Sequence, residues 1–432
     1  MLRTVRALWA TLAPRREFAV IGVVCLLGLV VALCGTPPAA AAASGKGKTI
    51  QMWYVGPLTG SGDTTGQDGC NGEQLAASDI NRAGGLSKGP MKGAHVSVKC
   101  IDDADTPSQD TSIAAHYASD PSVWAMGGFY ASGNALAAAL VAERSNLVIL
   151  GATVAAPFLT TQVHDVYILN PTLPAAGAAA ADFCDAYYGA KKVAGLNPDY
   201  SYIAGYMQGA ETAVHKDHLK LVASLSWPDP TTTDWSSYLS KVSSAGAQCI
   251  LLGGYPPEQC AIAAQARQLG MAQPMIDLTE SFTSSSCQKE AGSDYEGLIF
   301  GNLLPSKNPK GSLAASVALG YQQKYHQVMT YLSAQAYNCV LAVVYAIEDG
   351  ATNRTQLESY LAKVHGPGAG GPIAFVKRRV GVRFLTFDEV AAHGRLEPVA
   401  EYELYPNNSY KRLMVAKCSI RPSCQKRLGA SA

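Results

Sequence analysis

Residues 124–153 read WAMGGFYASGNALAAALVAERSNLVILGAT. A short apolar run, Trp124–Gly127, gives way to the loop Gly128-Phe129-Tyr130-Ala131-Ser132-Gly133, which opens an Ala-rich helix over Asn134–Arg144. A second apolar run, Leu147–Leu150, stops at Gly151-Ala152-Thr153. Strands that alternate with helices, and that are apolar throughout, predict a parallel sheet covered on both faces.

The same alternation extends in both directions. Upstream, a strand over Thr49–Val55 enters the turn-rich Gly56–Gly62, and a helix from about Asp68 to Arg82 is stopped by Gly84-Gly85. A strand over His95–Ile101 runs into Asp102-Asp103-Ala104-Asp105, and a helix follows over Ser108–Ser119. Downstream the pattern restarts, with strands at Lys192–Leu196, Leu221–Leu225, Cys249–Leu252, Met275–Leu278 and Leu298–Leu303. Helices over Gly205–Lys216, from Asp234 to Gly246, and over Glu258–Leu269 separate them. Ser312–Glu348 is predicted helical as a pair of helices, and Phe384–Phe387 and Ala400–Tyr405 as strands. The fold class expected is α/β: two doubly wound parallel-sheet lobes joined by a hinge near Asn170-Pro171-Thr172. The division expected is 45–170 with 303–400 for the first lobe, and 171–302 with 401–432 for the second.

The chain has 432 residues, 48% of them hydrophobic and 16% charged, which excludes a disordered polyelectrolyte. Lys+Arg is 34 against Asp+Glu 33, so there is no basic excess to grip nucleic acid. Residues 1–44 read as a signal peptide or N-terminal membrane anchor. Arg3, Arg6, Arg15 and Arg16 precede the apolar Ala19–Gly35, and Ala39–Ala43 ends the segment with small residues. Cleavage near Ala43 is the first reading, a retained anchor the second, and lipidation at Cys34 the third, because Leu33 stands where a small residue belongs. The body is therefore expected outside the cytoplasm, in the periplasm or on the outer face of the membrane.

Eleven cysteines agree with export. Outside the leader they are Cys70, Cys100, Cys184, Cys249, Cys260, Cys287, Cys339, Cys418 and Cys424, an odd set that leaves one thiol over. The pairings favoured are Cys70–Cys100, Cys260–Cys287 and Cys418–Cys424, although spacing does not prove connectivity. Buried free thiols are the plain alternative.

In open α/β sheets, ligands bind beyond the carboxyl ends of strands. Ser132 stands there before a helix, where its hydroxyl and the free amides of the first turn can hold a carboxylate; it can equally cap its own helix. Glu280, at a strand end, can pair with an ammonium in a closed cleft or remain a solvated loop glutamate. Tyr202 and Tyr255 can wall the cleft or be ordinarily half-buried. His215 and His218 share a helix without a further ligand, so no metal is expected. Gly366–Gly371 has glycines but no strand before it, and is a poor nucleotide loop. No G-x-S-x-G, H-E-x-x-H or P-loop is present, so no catalytic residue, enzyme activity or cofactor is expected.

These blocks, in order, resemble the branched-chain amino-acid binding proteins of ABC transporters, type I periplasmic binding proteins with the leucine/isoleucine/valine-binding protein as prototype. The resemblance covers most of 48–405. It is carried by Gly56-Pro57-Leu58-Thr59-Gly60, Gly66-Gln67-Asp68, Asp79-Ile80-Asn81, Asp102-Asp103, Ala131-Ser132-Gly133, Ala152-Thr153, Asp199-Tyr200-Ser201-Tyr202, Thr233-Asp234-Trp235, Gly253-Gly254-Tyr255 and Glu296-Gly297. It implies that Ser132, Ala152 and Thr153 hold a ligand carboxylate, that Glu280 holds its ammonium, and that Tyr202 and Tyr255 face it. Ala155 is the alternative match to Thr153 if the register shifts. Thr65 replaces an aromatic that packs on the ligand in the prototype, and Ile203 replaces a usual Gly. The implied ligand is therefore an amino acid, amide or small acid rather than leucine as such. The implied partner is an ABC transporter permease, served by a monomer; a sensor for a membrane partner and an exported hydrolase are the alternatives.

Overall fold

The computed structural model describes residues 45–417 apart from 157, 200–202, 217, 229–231, 255–257, 280–296, 382 and 392–394. The leader, Tyr202, Tyr255, Glu280, Cys287, Cys418 and Cys424 thus lie outside the described residues.

The first sheet is built from β1 (Thr49–Gly56), β2 (His95–Asp102), β3 (Val123–Gly128), β4 (Ile149–Gly151) and β5 (Val166–Ile168). They run parallel in the order β2-β1-β3-β4-β5. The second repeats this with β6 (Lys192–Pro198), β7 (Lys220–Trp227), β8 (Cys249–Leu252), β9 (Met275–Asp277) and β10 (Ile299–Asn302). Their order is β7-β6-β8-β9-β10, again parallel. Each order reverses once, at β1/β3 and at β6/β8, which opens a crevice beyond the strand ends at those points. Ile50, Met52 and Val55 of β1 are fully buried, as a parallel strand sandwiched between helices requires.

The helices of the two halves are α1 (Asp63–Arg82), α2 (Pro107–Ser119), α3 (Ser132–Ala142), α4 (Phe158–Thr161), α5 (Leu173–Tyr188), α6 (Ile203–Lys216), α7 (Ser236–Ser244) and α8 (Glu258–Gln268). The expected helix pair follows as α9 (Leu313–Tyr325) and α10 (Tyr331–Glu348), with the short α11 (Leu357–Leu361) after it. Thr330 opens α10 with a full capping box closed by Ser333. α10 packs against α1 so closely that a Cβ on Gly72 would fall 2.2 Å from the Ser333 carbonyl oxygen. Asp68 of α1 accepts from the hydroxyls of Tyr321 and Thr330, tying that helix to α9 and to the start of α10. The first core accordingly draws on Val317, Tyr321, Tyr337 and Val343 beside β1.

Both sheets are mixed rather than purely parallel. β11 (His365–Gly366), β12 (Ile373–Val376) and β13 (Arg379–Val380) extend the first, the pairs within this set antiparallel. β14 (Arg383–Val390), β15 (Leu396–Leu404) and β16 (Tyr410–Val415) extend the second antiparallel. This moves a boundary. Residues 383–390 and 396–400, expected in the first lobe, pair in the second sheet, so the chain crosses just before Arg383 rather than at 400. The reason is burial: Leu385, Phe387, Val399 and Ala400 pack into the core of the second half beside Phe183 and Ile299. The Gly/Pro loop around 366–371 is structural. Gln335 Nε2 donates to Gly370 O (3.2 Å), and Ala369 N donates to Asn338 Oδ1 (2.7 Å).

Cys70–Cys100 joins α1 to β2 as expected. Cys184–Cys249, which spacing did not suggest, joins α5 to β8. Cys260 is also disulfide-bonded, while its expected partner Cys287 and the expected pair Cys418–Cys424 fall outside the described residues. Cys339 is free and buried, so it is the odd thiol among the described residues. Closing a loop of 65 residues removes about 4 kcal/mol of unfolded-state entropy. The variant Cys184→Ala/Cys249→Ala is expected to lose roughly 2–5 kcal/mol in urea melts and to keep its fold.

After β2 the chain turns through Ala104 and Asp105, both with left-handed φ (48° and 52°). This turn delivers Asp103 and, on α2, Asp110 into the interior, both fully buried. Neither carboxylate oxygen of Asp110 has a partner among the described residues. Burial pushes Asp110 up to about 8 and Asp103 to about 6. Each carboxyl binds its proton more tightly folded than unfolded, so its stabilising contribution is full below the unfolded value of about 4. It is lost as pH rises through about 6 and then about 8. Urea melts are therefore expected to show greater stability at acidic than at mildly alkaline pH. Asp110→Asn should flatten that slope, and an unchanged slope would exclude Asp110 as its source.

Candidate functional site

The site forms where β1, β3 and β4 end. Gly128 (φ 96°) and Phe129 (φ 62°) both take the left-handed conformation. At Phe129 that conformation costs on the order of 1 kcal/mol. The turn is held because the Phe129 ring is buried in the core and its N–H donates to Val55 O at 2.7 Å. Gly128 O accepts from Ala152 N (2.8 Å), which brings the β4 loop alongside.

Ser132 is the first residue of α3, whose cap position is Ala131 with no side-chain cap. It therefore does not cap its own helix. Its Oγ accepts from the amides of Ala155 (3.3 Å) and Ala156 (3.4 Å), and the residue is buried. The oxygen is committed to the neighbouring loop, and the hydroxyl proton is what remains to donate. Thr153 Oγ1 donates to Phe129 O at 2.6 Å, and the Thr153 carbonyl accepts from Asn170 Nδ2. With its hydroxyl proton spent, Thr153 has its backbone N–H to offer an anion.

A small pocket opens here. It is lined by Tyr54 of β1, Thr65 and Gly69 of α1, Gly128–Tyr130, Ala152 and Thr153, and Leu332 of α10. Ala152, Thr153 and Thr65 are brought together; Ser132 is not a lining residue but fastens the loop that carries them. Tyr54, Phe129, Tyr130 and Leu332 were missed. Phe129 and Tyr130 sit inside the loop singled out for its glycines, whereas Leu332 returns from a distant helix and carries no local signal. Below the pocket, Glu73 of α1 is fully buried with no partner for either carboxylate oxygen among the described residues. Burial raises its pKa well above the carboxylate range and, with the Glu73 charge second, raises that of Tyr54. Asp102 accepts from Leu58 N (2.8 Å), Thr59 Oγ1 (2.6 Å) and Ala104 N (3.0 Å), fixing the loop that follows β1. The Thr59 hydroxyl bond, ahead of the backbone ones, holds its carboxyl below the ordinary value.

On the second sheet, β8 ends at Gly253-Gly254. A Cβ on Gly254 would lie 2.1 Å from Nε2 of Gln259, a buried amide unpartnered among the described residues. β9 ends at Asp277, whose Oδ1 accepts the amide and hydroxyl of Thr279, both at 2.8 Å, turning the chain just ahead of Glu280. Among the described residues, no group of His, Cys, Asp and Glu is arranged to hold a metal ion.

Comparison with known proteins agrees with this architecture. The chain is 27% identical over 262 residues to Leu/Ile/Val-binding protein homolog 3 of Brucella melitensis, covering 60% of this chain and 69% of that protein. It is 25% identical over 252 residues to the leucine-, isoleucine-, valine-, threonine-, and alanine-binding protein of Pseudomonas aeruginosa, 58% of this chain and 65% of that one. The matched stretch thus spans about two thirds of the length of these relatives. The branched-chain amino acid transporter substrate binding protein LivJ of Streptococcus pneumoniae, solved with isoleucine, superposes with a TM-score of 0.71 at 20% identity. That match covers 85% of this chain and all of the other (100%). A solute binding protein of an ABC transporter from R. palustris, solved with benzoate, gives 0.68 at 14% identity over 81% of this chain and 95% of its own. The model of the periplasmic binding protein family matches residues 49–383. The chain belongs to that family of non-enzymatic transport proteins.

Proposed function

We propose that the protein captures a small carboxylate-bearing solute outside the cytoplasm, an amino acid or a small aromatic acid, and delivers it to an ABC transporter permease. Family membership implies export, and the disulfides agree with an oxidising compartment. The observation that supports the ligand reading is the pocket at the β1/β3 switch point, lined by Thr153, whose backbone amide is left to donate, on a loop that the Ser132 hydroxyl fastens from behind. A carboxylate answers that donor set. In this reading Glu280 takes the ammonium of an amino acid, Tyr202 and Tyr255 face the solute from the second lobe, and ligand contact with both lobes favours closure about the crossings. Thr65, which lines the pocket, stands where the resemblance places an aromatic, so side-chain preference should differ from that of the prototype.

The purified protein, screened by thermal shift, is expected to gain apparent stability with one or more of leucine, isoleucine, benzoate and 4-hydroxybenzoate. If an amino acid is the ligand, Glu280→Gln is expected to weaken it at least tenfold, leave binding of ammonium-free acids intact, and barely change unliganded melting. A mutant that still binds the amino acid in full removes Glu280 from the site, and silence across the panel counts against the carboxylate reading.

A further inference from the structure

β13 carries Arg379, which is 7% exposed. Its Nη2 donates to the carbonyl of Ala156 at 3.3 Å, and its Nη1 is buried with no acceptor among the described residues. No described acid stands against it; burial alone lowers its pKa to about 10, so it stays charged at neutral pH. A buried ion is normally paired, because stripping its water without compensation is costly. A guanidinium without a compensating charge among the described residues is suited to a negative charge that arrives with a ligand.

Its surroundings say which ligand. Ala156, which accepts from Arg379, donates its own N–H to Ser132 Oγ at 3.4 Å. Those two bonds and the single residue between them put the guanidinium within about 10 Å of the Ser132 hydroxyl. Arg378, its neighbour, is also cationic and donates to Val163 O at 2.7 Å, so it supplies no negative charge.

We propose that Arg379 is a specificity-determining residue. It holds a positive potential behind the Ala152–Ala156 loop and selects solutes whose carboxyl group is ionised, rejecting the matching amides. The proposal rests on the carboxylate reading of the pocket given above and adds to it a residue that does not touch the ligand. At that distance, with an effective dielectric constant of about 20, one charge changes the affinity for an anion roughly tenfold.

The test uses the purified full protein with two matched probe pairs, benzoate with benzamide and isoleucine with isoleucinamide, titrated calorimetrically. The wild type is expected to bind at least one acid and to bind its amide at least tenfold more weakly. Arg379→Gln should weaken that acid roughly tenfold, leave any binding of neutral benzamide unchanged and not weaken that of cationic isoleucinamide, Arg379→Lys should restore most of the loss, and Arg378→Gln should have no effect. A merely structural role would weaken acid and amide alike, and that result overturns the proposal. So does an acid affinity in Arg379→Gln within twofold of wild type. Should Arg379→Gln fail to fold, the wild type alone decides, because an amide that binds as tightly as its acid refutes charge selection. Binding of neither acid defeats the carboxylate reading and this proposal together, whereas acid binding indifferent to Arg379 defeats the proposal only.

Discussion

The oxygen of Ser132 accepts two backbone amides, and the arrangement of the first lobe's site depends on that contact. It fastens the loop after β3 to the loop after β4. Without it, two amides would be left buried and unpaired. The Thr153 hydroxyl, which donates to Phe129 O, adds a second link between the same loops. A third runs from Asn170 to the Thr153 carbonyl and reaches the segment that leads into α5. Polar contacts thus continue from the first turn of α3 to a crossing between the halves.

Much of the architecture was legible along the chain because it is local. The β3 and β8 runs are apolar throughout, the glycines at 84 and 85 stop α1, and the helix pair before residue 348 falls where expected. Cys70 and Cys100 sit on neighbouring elements, which made their pairing guessable. What escaped was non-local. Cys184 meets Cys249 because α5 packs across the second sheet, and nothing in the spacing of the cysteines encodes that packing. The boundary at 383 depends on which core receives Phe387, and an apolar alternation does not specify its partner. Ser132 before a helix resembles a cap, yet Ala131 holds that position and the hydroxyl turns to another loop. The residue types of the site could be read, but their hydrogen-bond assignments could not.

The crossing into β14 is braced in the same way. Arg383, fully buried, donates to the carbonyls of Leu169 and Pro372, linking the last crossing to the segment after β5 and to the Gly-rich loop. Gln335 and Asn338 of α10 hold that loop from the other side. The glycines there leave room for side-chain amides to approach the backbone: a Cβ on Gly368 would lie 2.5 Å from Asn338 Oδ1. The Gly/Pro run that is a poor nucleotide loop in the sequence is the seat of an inter-lobe brace.

The unpaired sulfur of Cys339 lies in the first core, 3.7 Å from the Leu150 carbonyl oxygen, and burial, together with the neighbouring Glu73, pushes its thiol pKa far up. Thiolate is the reactive form, so this sulfur is chemically silent while the fold is intact. Maleimide dyes attached at an engineered surface cysteine would therefore report lobe movement without the native residue first being removed, and its sudden labelling would mark unfolding of the first half.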